Sequence, residues 1–180
     1  MFGMTDPDKM NALDLLQRDH DEVDRLFKHY EEIKHGAEAA EKERLVAEIC
    51  DALSVHAQIE EAIFYPAARS ALDENEGKDL LDEAAVEHQT LKDIIGRLEM
   101  APTSDPLYDA GVKVLSEYVK HHVREEEKEL FPKLKSTDMD MDAVGQQLAE
   151  RKLRLQRSAP SARSGNGRRR TSRDERAHQA

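Results

Sequence analysis

Apolar residues recur every three or four positions in four long segments of the chain, which is the spacing of one face of an α-helix. Short stretches rich in turn-forming residues separate these segments, and one of them, DENEGKD at 73–79, reads as a turn. Four amphipathic helices joined by short turns pack most simply side by side. The pattern therefore predicts an all-α protein, an antiparallel up-down-up-down four-helix bundle, with helices over residues 9–35, 39–72, 78–100 and 105–134.

Prolines and small polar residues suggest where two of these helices begin and end. Pro66 and Pro132 each lack a backbone N–H, so we expect Pro66 to kink or end the second helix and Pro132 to close the fourth. Ser104 or Asp105 can cap the fourth helix, with Pro106 at its first position.

The region after the bundle divides into an amphipathic segment and a basic tail. Residues 140–156 place Met141, Val144, Leu148 and Leu155 on one side, which predicts a short extra helix that docks on the bundle or on a second subunit. The last residues are rich in Ser, Gly and Arg and nearly devoid of apolar side chains, so we expect disorder. The predicted divisions are a leader, the bundle, the extra helix and the tail, at 1–10, 11–135, 136–157 and 158–180.

The net charge of -11 is unevenly distributed. Residues 151–180 carry ten Lys/Arg and two Asp/Glu, which leaves 17 basic and 36 acidic residues in 1–150. A body this acidic repels phosphate groups, so nucleic acid could bind only through the Arg-rich tail, which could equally serve solubility. The sequence shows neither a basic leader with an apolar core nor a long apolar segment, so we expect no membrane contact and a cytoplasmic location. The single cysteine, Cys50, lies near an apolar stripe and is expected to be buried and inert.

One motif is written twice, as HAQIEEAIFYP at 56–66 and HVREEEKELFP at 122–132. Each copy has a histidine, a glutamate four residues later and a proline ten residues later. The preceding helices also correspond, because DHDEVDRLF and EHQTLKDII each place one histidine in the middle of a helix. Two such helix pairs packed face to face bring four histidines and two glutamates to one level of the core: His20, His56, Glu60, His88, His122 and Glu126.

These residue types at this spacing point to a metal site. Positions i and i+4 of a helix share a face, so an imidazole and a carboxylate in each copy can aim at one point. A carboxylate on an apolar face needs a compensating positive charge. Six ligands exceed the four that one zinc ion usually takes and suit two ions, and imidazole with carboxylate favours iron, manganese or zinc. The ligands must be neutral imidazoles, so metal affinity is expected to fall below about pH 6.

Several neighbours compete for, or could support, these positions. His121 precedes His122, but the distance to the proline matches the first copy only for His122, so we expect His121 on the helix flank. Tyr118 is expected in the core, with a role beside the metal as the alternative. Glu61 and Glu127 are expected on solvated faces, and the alternative is that they replace Glu60 or Glu126 or add a further ligand. Three other histidines lie away from this level and should be solvated: His29, His35 and His178.

The ligand pattern resembles the hemerythrin-like (HHE cation-binding) domain, over about residues 10–135. That resemblance implies a four-helix bundle with a non-haem di-iron centre, here two iron ions, oxo- or hydroxo-bridged, with zinc or manganese as alternatives. Oxygen-carrying members have His-x3-His on helix three, where this chain has Lys92, and an Asp in the fourth-helix motif. The resemblance therefore implies binding or processing of dioxygen, peroxide or nitric oxide, with peroxide decomposition or redox and iron sensing favoured over oxygen carriage.

Other functions remain open at the level of sequence. A ferritin-like oxidase needs Glu-x-x-His on two helices, and within the predicted helices that spacing occurs at Glu32 and His35. A helical interaction module, or an iron-responsive scaffold, could act through the C-terminal helix and the basic tail. The sequence leaves turnover, the oligomeric state and the redox partner undetermined.

Overall fold

The computed structural model describes residues 10–72 and 77–158, and within them the regular structure is entirely helical. The predicted leader, most of the 73–79 turn, the basic tail and His178 lie outside the described residues. The helices are α1 (Ala12–Ile33), α2 (Ala39–Ile59), α3 (Tyr65–Ala71), α4 (Lys78–Met100), α5 (Tyr108–Glu125), α6 (Phe131–Leu134) and α7 (Met141–Ser158). Two single π-helical turns connect them, Glu60–Phe64 between α2 and α3, and Glu126–Leu130 between α5 and α6.

Contacts at one end of the bundle define its topology. Asp109, at the start of α5, accepts hydrogen bonds from the Tyr30 hydroxyl near the end of α1 at 2.6 Å and from Lys42 near the start of α2 at 2.5 Å. The end of α1 and the starts of α2 and α5 therefore lie together. The predicted antiparallel up-down-up-down four-helix bundle is confirmed.

Two hydrophobic clusters fill the bundle, one on each side of a polar layer. The α7-side cluster includes Leu16, Phe64, Leu81, Phe131 and Leu148. The far cluster includes Tyr30, Ile49, Leu98, Leu115 and Val119. The layer between them holds the histidines and glutamates singled out from the sequence, so the apolar residues on both sides keep these polar groups from water.

The prolines of the two repeated motifs do not end their helices where predicted. Pro66 and Pro132 each lie in the first turn of a new α-helix that follows a π turn. The N–H of the preceding residue, Tyr65 or Phe131, bonds to the carbonyl five residues back, that of Glu60 or Glu126. The wider turn makes room for the proline ring, and helical structure resumes directly after it.

The fourth long helix starts later than the sequence suggested. Asp105 caps a turn instead, because its side chain accepts a hydrogen bond from the Leu107 N–H at 2.8 Å and its carbonyl accepts one from Tyr108. α5 begins at Tyr108 without a side-chain cap. The prediction of Ser104 or Asp105 as cap and Pro106 at the first helical position was wrong, because the aspartate satisfies donors inside the preceding turn.

The extra helix packs on the bundle, against α1. Val144 and Leu148 are buried in the α7-side cluster, and Gly145 lets the two backbones approach closely. A Cβ at Gly145 would lie 2.4 Å from the carbonyl oxygen of Met10. In the described part of the chain, no helix combines the length and the apolar character needed to span a lipid bilayer.

Candidate metal centre

The structure brings the six residues singled out from the sequence into one buried layer. The four histidines come from α1, α2, α4 and α5, and each glutamate opens a π turn. None of the six is more than 7% exposed. Because every helix of the bundle contributes one histidine, the site exists only when all four are packed. The residues are His20, His56, Glu60, His88, His122 and Glu126.

The imidazoles form two pairs across the bundle. The Nε2 atoms of His20 and His56 lie 3.1 Å apart, and those of His88 and His122 also lie 3.1 Å apart. Each pair joins neighbouring helices of one repeat. The two-repeat organisation of the sequence thus becomes two adjacent groups of nitrogen donors.

The two glutamates lie between the pairs, but they are oriented differently. Glu60 turns Oε1 toward His56 Nε2 at 3.1 Å and Oε2 toward His88 Nε2 at 3.3 Å. Glu126 directs a single oxygen, Oε2, toward His20 at 3.3 Å and His122 at 3.6 Å. Both carboxylates therefore contact both histidine pairs, which is the arrangement needed for groups shared between two cations.

Each imidazole has a second carboxylate at its outer nitrogen. The Nδ1 atom of His20 lies 2.9 Å from Glu127, that of His88 lies 3.0 Å from Glu61, and that of His122 lies 2.8 Å from Glu87. Such outer carboxylates orient metal-bound imidazoles and fix which nitrogen carries the proton. Glu61 is exposed, as predicted, and Glu127 is half-buried, yet each carboxylate also contacts a histidine of the layer.

Two of these outer residues were missed by the sequence analysis. Asp19 lies 3.5 Å from His56 Nδ1, and Glu87 contacts His122. A signal was available, because Asp19 directly precedes His20 and Glu87 directly precedes His88, so the repeat extends to these carboxylates. Their partners are on the adjacent helix of the pair, and adjacency is set by packing.

The arrangement of protons and lone pairs fits a bound cation. When each Nδ1 donates its proton outward, the Nε2 lone pairs face one another at 3.1 Å, which is repulsive without a positive charge between them. Both carboxylate oxygens of Glu60 and Oε2 of Glu126 are buried without a hydrogen-bond donor among the described residues. Imidazole nitrogen and carboxylate oxygen together are the donor set of first-row transition metals.

Protons compete with metal for these groups. Burial lowers the pKa of His56, but Glu60 and Asp19 outweigh it and raise the value to about 10. Burial also lowers the pKa of His122, but Glu126 and Glu87 favour the charged form, and the net effect is a raised pKa. Burial favours protonation of Glu60, yet the adjacent His56 and His88 hold its pKa well below the usual range. The metal-free centre is therefore expected to hold protons at neutral pH, so that proton competition extends above the value of about 6 expected from the sequence.

A tyrosine that the sequence analysis overlooked reaches the centre. The Tyr65 hydroxyl donates to Glu126 Oε1 at 2.8 Å and lies 3.2 Å from His88 Nε2. Burial first, and then Glu126 and Glu60, raise its pKa well above the usual value, so the phenol keeps its proton. Tyr118, expected in the core, is instead 45% exposed. The π turn rotates Tyr65 inward, and sequence periodicity based on 3.6 residues per turn does not show that rotation.

Two of the outer carboxylates form ion pairs with lysine side chains. Lys152 of α7 contacts Asp19, and Lys92 contacts both oxygens of Glu61 at 2.6 and 2.7 Å. Lys92 therefore supports the carboxylate that orients His88.

The remaining histidines and the cysteine lie away from the centre. His121 is 45% exposed on the flank of α5, as predicted, and contacts Glu125 at 3.1 Å. His29 and His35 are exposed. Cys50 is buried and free, and burial raises the pKa of its thiol to about 12, so it remains a neutral, inert group.

A small cavity adjoins the histidine layer on the side of the far cluster. Its volume is about 30 Å³, enough for two or three atoms the size of a water oxygen. All four imidazoles of the centre form one wall, and apolar side chains form most of the rest, including Leu53, Leu91, Ile95 and Val119. The centre is thus open to a small uncharged molecule inside the protein.

Comparisons with known proteins agree with this geometry. Residues 11–134 match the model of the hemerythrin HHE cation binding domain. A solved structure from Mycobacterium kansasii, a hemerythrin HHE cation binding domain-containing protein homologous to Rv2633c, superposes with a TM-score of 0.68, covering 83% of this chain and 89% of that one at 25% identity. The uncharacterised protein Rv2633c of Mycobacterium tuberculosis is 28% identical over 145 residues, 79% of this chain and 85% of the relative. A DNA nickase of Nostoc sp. is 28% identical over 132 residues, which are 73% of this chain but only 36% of the nickase.

Proposed function

This chain belongs to the hemerythrin HHE cation-binding family of metal-binding helical proteins, and on that premise we propose that it is a non-haem di-iron protein that binds or processes dioxygen, peroxide or nitric oxide. The observation that carries the proposal is the buried layer of four convergent imidazoles and two shared carboxylates. Iron is favoured over zinc because six donors exceed the needs of one tetrahedral ion, and because iron supplies the redox chemistry that these small molecules require.

The six residues divide naturally into ligands for two ions. His20 and His56 would hold one ion and His88 and His122 the other, with Glu60 and Glu126 shared between them. Each iron would then have two nitrogen donors and fewer than six protein ligands, which leaves positions for an exogenous molecule. The four outer carboxylates would each hold the imidazole proton on Nδ1, so that the Nε2 lone pair is free and points inward. They belong to Asp19, Glu61, Glu87 and Glu127.

The cavity supports a small exogenous ligand. Its volume of about 30 Å³ suits a molecule of two or three heavy atoms, and its largely apolar wall favours an uncharged molecule over an anion. The histidine layer forms the opposite wall, so a molecule in the cavity would lie beside the metal-binding nitrogens.

Two residues favour peroxide chemistry or sensing over reversible oxygen carriage. Tyr65 places a phenol O–H on Glu126 at the centre, and a buried hydroxyl in this position can supply or hold a proton. Lys92 occupies the position where oxygen carriers have a further histidine, and it pairs with Glu61 instead. The protein therefore has one nitrogen donor fewer and one proton-bearing group at the site.

The name of the Nostoc relative does not extend to this chain. The nickase is much longer than the matched segment, and residues 1–150 of this chain carry 17 basic and 36 acidic residues. That charge disfavours contact with a DNA backbone. A DNA-nicking assay with the metal-loaded protein tests this point, and we expect no activity.

The decisive experiment measures metal content and the optical spectrum of the full chain after anaerobic loading with Fe²⁺ and exposure to air. We expect about two irons per chain and near-ultraviolet absorption characteristic of an oxidised di-iron centre. The variants His56→Ala and His122→Ala should lose both, whereas the exposed control His29→Ala should keep both.

Loaded wild-type protein is next tested with hydrogen peroxide, dioxygen and nitric oxide. Peroxide turnover that is lost in His56→Ala would support the catalytic form of the proposal, and a spectral change without turnover would support sensing. Failure of the wild type to retain iron would refute the proposal and leave a helical interaction module.

A further inference from the structure

The pseudo-twofold repeat is broken on one flank of the centre. Asp19 and Glu87 occupy equivalent positions, each preceding a histidine of the layer and each contacting the histidine of the adjacent helix. On the first flank, Lys152 of α7 covers the free oxygen of Asp19. On the second flank, the free oxygen of Glu87 faces His121 instead. The second flank therefore has an imidazole at the place where the first flank has the lysine ammonium group.

Three potential metal donors meet on this second flank. His121 Nε2 lies 3.3 Å from Glu87 Oε1 and 3.1 Å from Glu125 Oε1. The three donor atoms lie within 4.8 Å of one another. His121 and Glu125 repeat the His-x3-Glu spacing of the inner centre one residue earlier in the sequence. We call Glu87, His121 and Glu125 the flank triad.

A pocket is lined by two residues of the flank triad and two residues of the inner centre. It has a volume of about 10 Å³, the size of one water molecule, and is lined by Glu87 and Glu125 together with His122 and Glu126. Glu126 is 2% exposed, and its Oε2 atom has no hydrogen-bond donor among the described residues. The pocket thus brings two carboxylates of the flank triad next to a buried glutamate that has one oxygen without a hydrogen-bond donor.

We propose that the flank triad is a second divalent-cation site, which captures a metal ion from solvent and passes it between Glu87 and Glu125 to His122 and Glu126. The capture step stands on the triad alone, whereas the transfer step rests on the proposed function of the inner centre. One imidazole and two carboxylates suit Fe²⁺, Mn²⁺, Co²⁺ or Zn²⁺. Glu87 serves both sites, since one oxygen faces His121 and the other lies 2.8 Å from His122 Nδ1.

Arg124 makes the flank triad a transfer site and not a storage site. Its guanidinium lies 3.1 Å from His121 Nδ1, so the imidazole proton is held on Nε2, the atom that would bind metal. Metal binding must move that proton to Nδ1 and release Arg124, whose side chain is exposed and free to turn away. The flank triad therefore binds more weakly than the inner centre and can release its ion.

Equilibrium dialysis of the metal-free full chain against Co²⁺ tests the capture step. The wild type should bind one weakly held equivalent more than the double variant His121→Asn/Glu125→Gln. The control His29→Asn/Glu32→Gln removes the same two groups from an exposed pair on α1, 3.9 Å apart, and should bind as the wild type does. Arg124→Gln should tighten the weak equivalent. Equal cobalt binding by all four proteins would overturn the proposal.

Stopped-flow loading with Fe²⁺ tests the transfer step. The double variant should fill its inner centre on the order of tenfold more slowly, because local capture of the cation is lost, yet reach the wild-type iron content. An unchanged loading rate would overturn the transfer role. A wild type that binds the weak Co²⁺ equivalent but retains no iron would refute the di-iron function and leave the capture step standing.

Discussion

The metal-free protein should lose stability as the pH rises from 6.5 to 9, and His56 dominates the effect. Its pKa is raised from 6.5 to about 10 in the folded protein. A histidine whose pKa is raised on folding stabilises the folded state fully when the pH is below the pKa of the unfolded state. The stabilisation disappears as the pH rises through the pKa of the folded state. The difference between the two pKa values of His56 corresponds to about 5 kcal/mol in the free energy of unfolding, of which about 3 kcal/mol is lost between pH 6.5 and 9.

Glu60 does not reverse this trend. Its pKa is held well below the usual range in the folded protein. Glu60 therefore stabilises the fold at every pH above the pKa of the unfolded state, and this stabilisation is lost only as the pH falls below that value. His122 also has a raised pKa, and it adds to the loss in the same direction. The net slope between pH 6.5 and 9 is therefore downward.

Urea unfolding of chelator-treated protein, followed by far-ultraviolet circular dichroism at pH 6.5, 7.5, 8.2 and 9, measures this slope. The variant His56→Gln should show a distinctly shallower slope because the main titrating group is gone. Protein loaded with metal should be stable across the range, since the ion replaces the protons. A flat or rising profile for the metal-free wild type, or an equal slope in His56→Gln, would refute the reasoning.

Two further predictions concern residues other than the six of the histidine and glutamate layer. Tyr65→Phe should destabilise the metal-free protein by about 1–3 kcal/mol in urea unfolding, because the buried Glu126 carboxylate loses its donor; a change below about 0.5 kcal/mol would contradict the role of this hydrogen bond. Gly145→Ala should loosen α7 and speed amide hydrogen exchange within it, because its Cβ would lie 2.4 Å from the Met10 carbonyl oxygen. The matched control Gly96→Ala, where a Cβ meets no atom within 4 Å, should be neutral or stabilising, and equal exchange in both variants would count against the close packing.

The helices and the six inner residues could be predicted from the sequence because both depend on local spacing. Amphipathic periodicity specifies which residues share a helix face, and the duplicated His-x3-Glu motif marks one level of the bundle. The bounds of the third long helix, 78–100, agree with α4. Proline chemistry was less informative, since Pro66 and Pro132 begin new helices after π turns.

The surroundings of the centre required the tertiary structure. Tyr65 resembles an ordinary core residue in the sequence, and the sequence does not show which imidazole Asp19 contacts; each reaches its partner because another helix is packed beside it. The asymmetry between a flank covered by Lys152 and a flank facing His121 also depends on where α7 docks.

The sequence by itself determined the resemblance to the family, the all-helical class and the six residues of the inner layer, because a fixed rise and turn per residue relate sequence spacing directly to a helix face. Only the tertiary structure decided which carboxylate orients which imidazole, where the cavity lies and which flank is open. Those features arise between helices that are far apart in the chain, where contact is decided by packing and not by sequence separation.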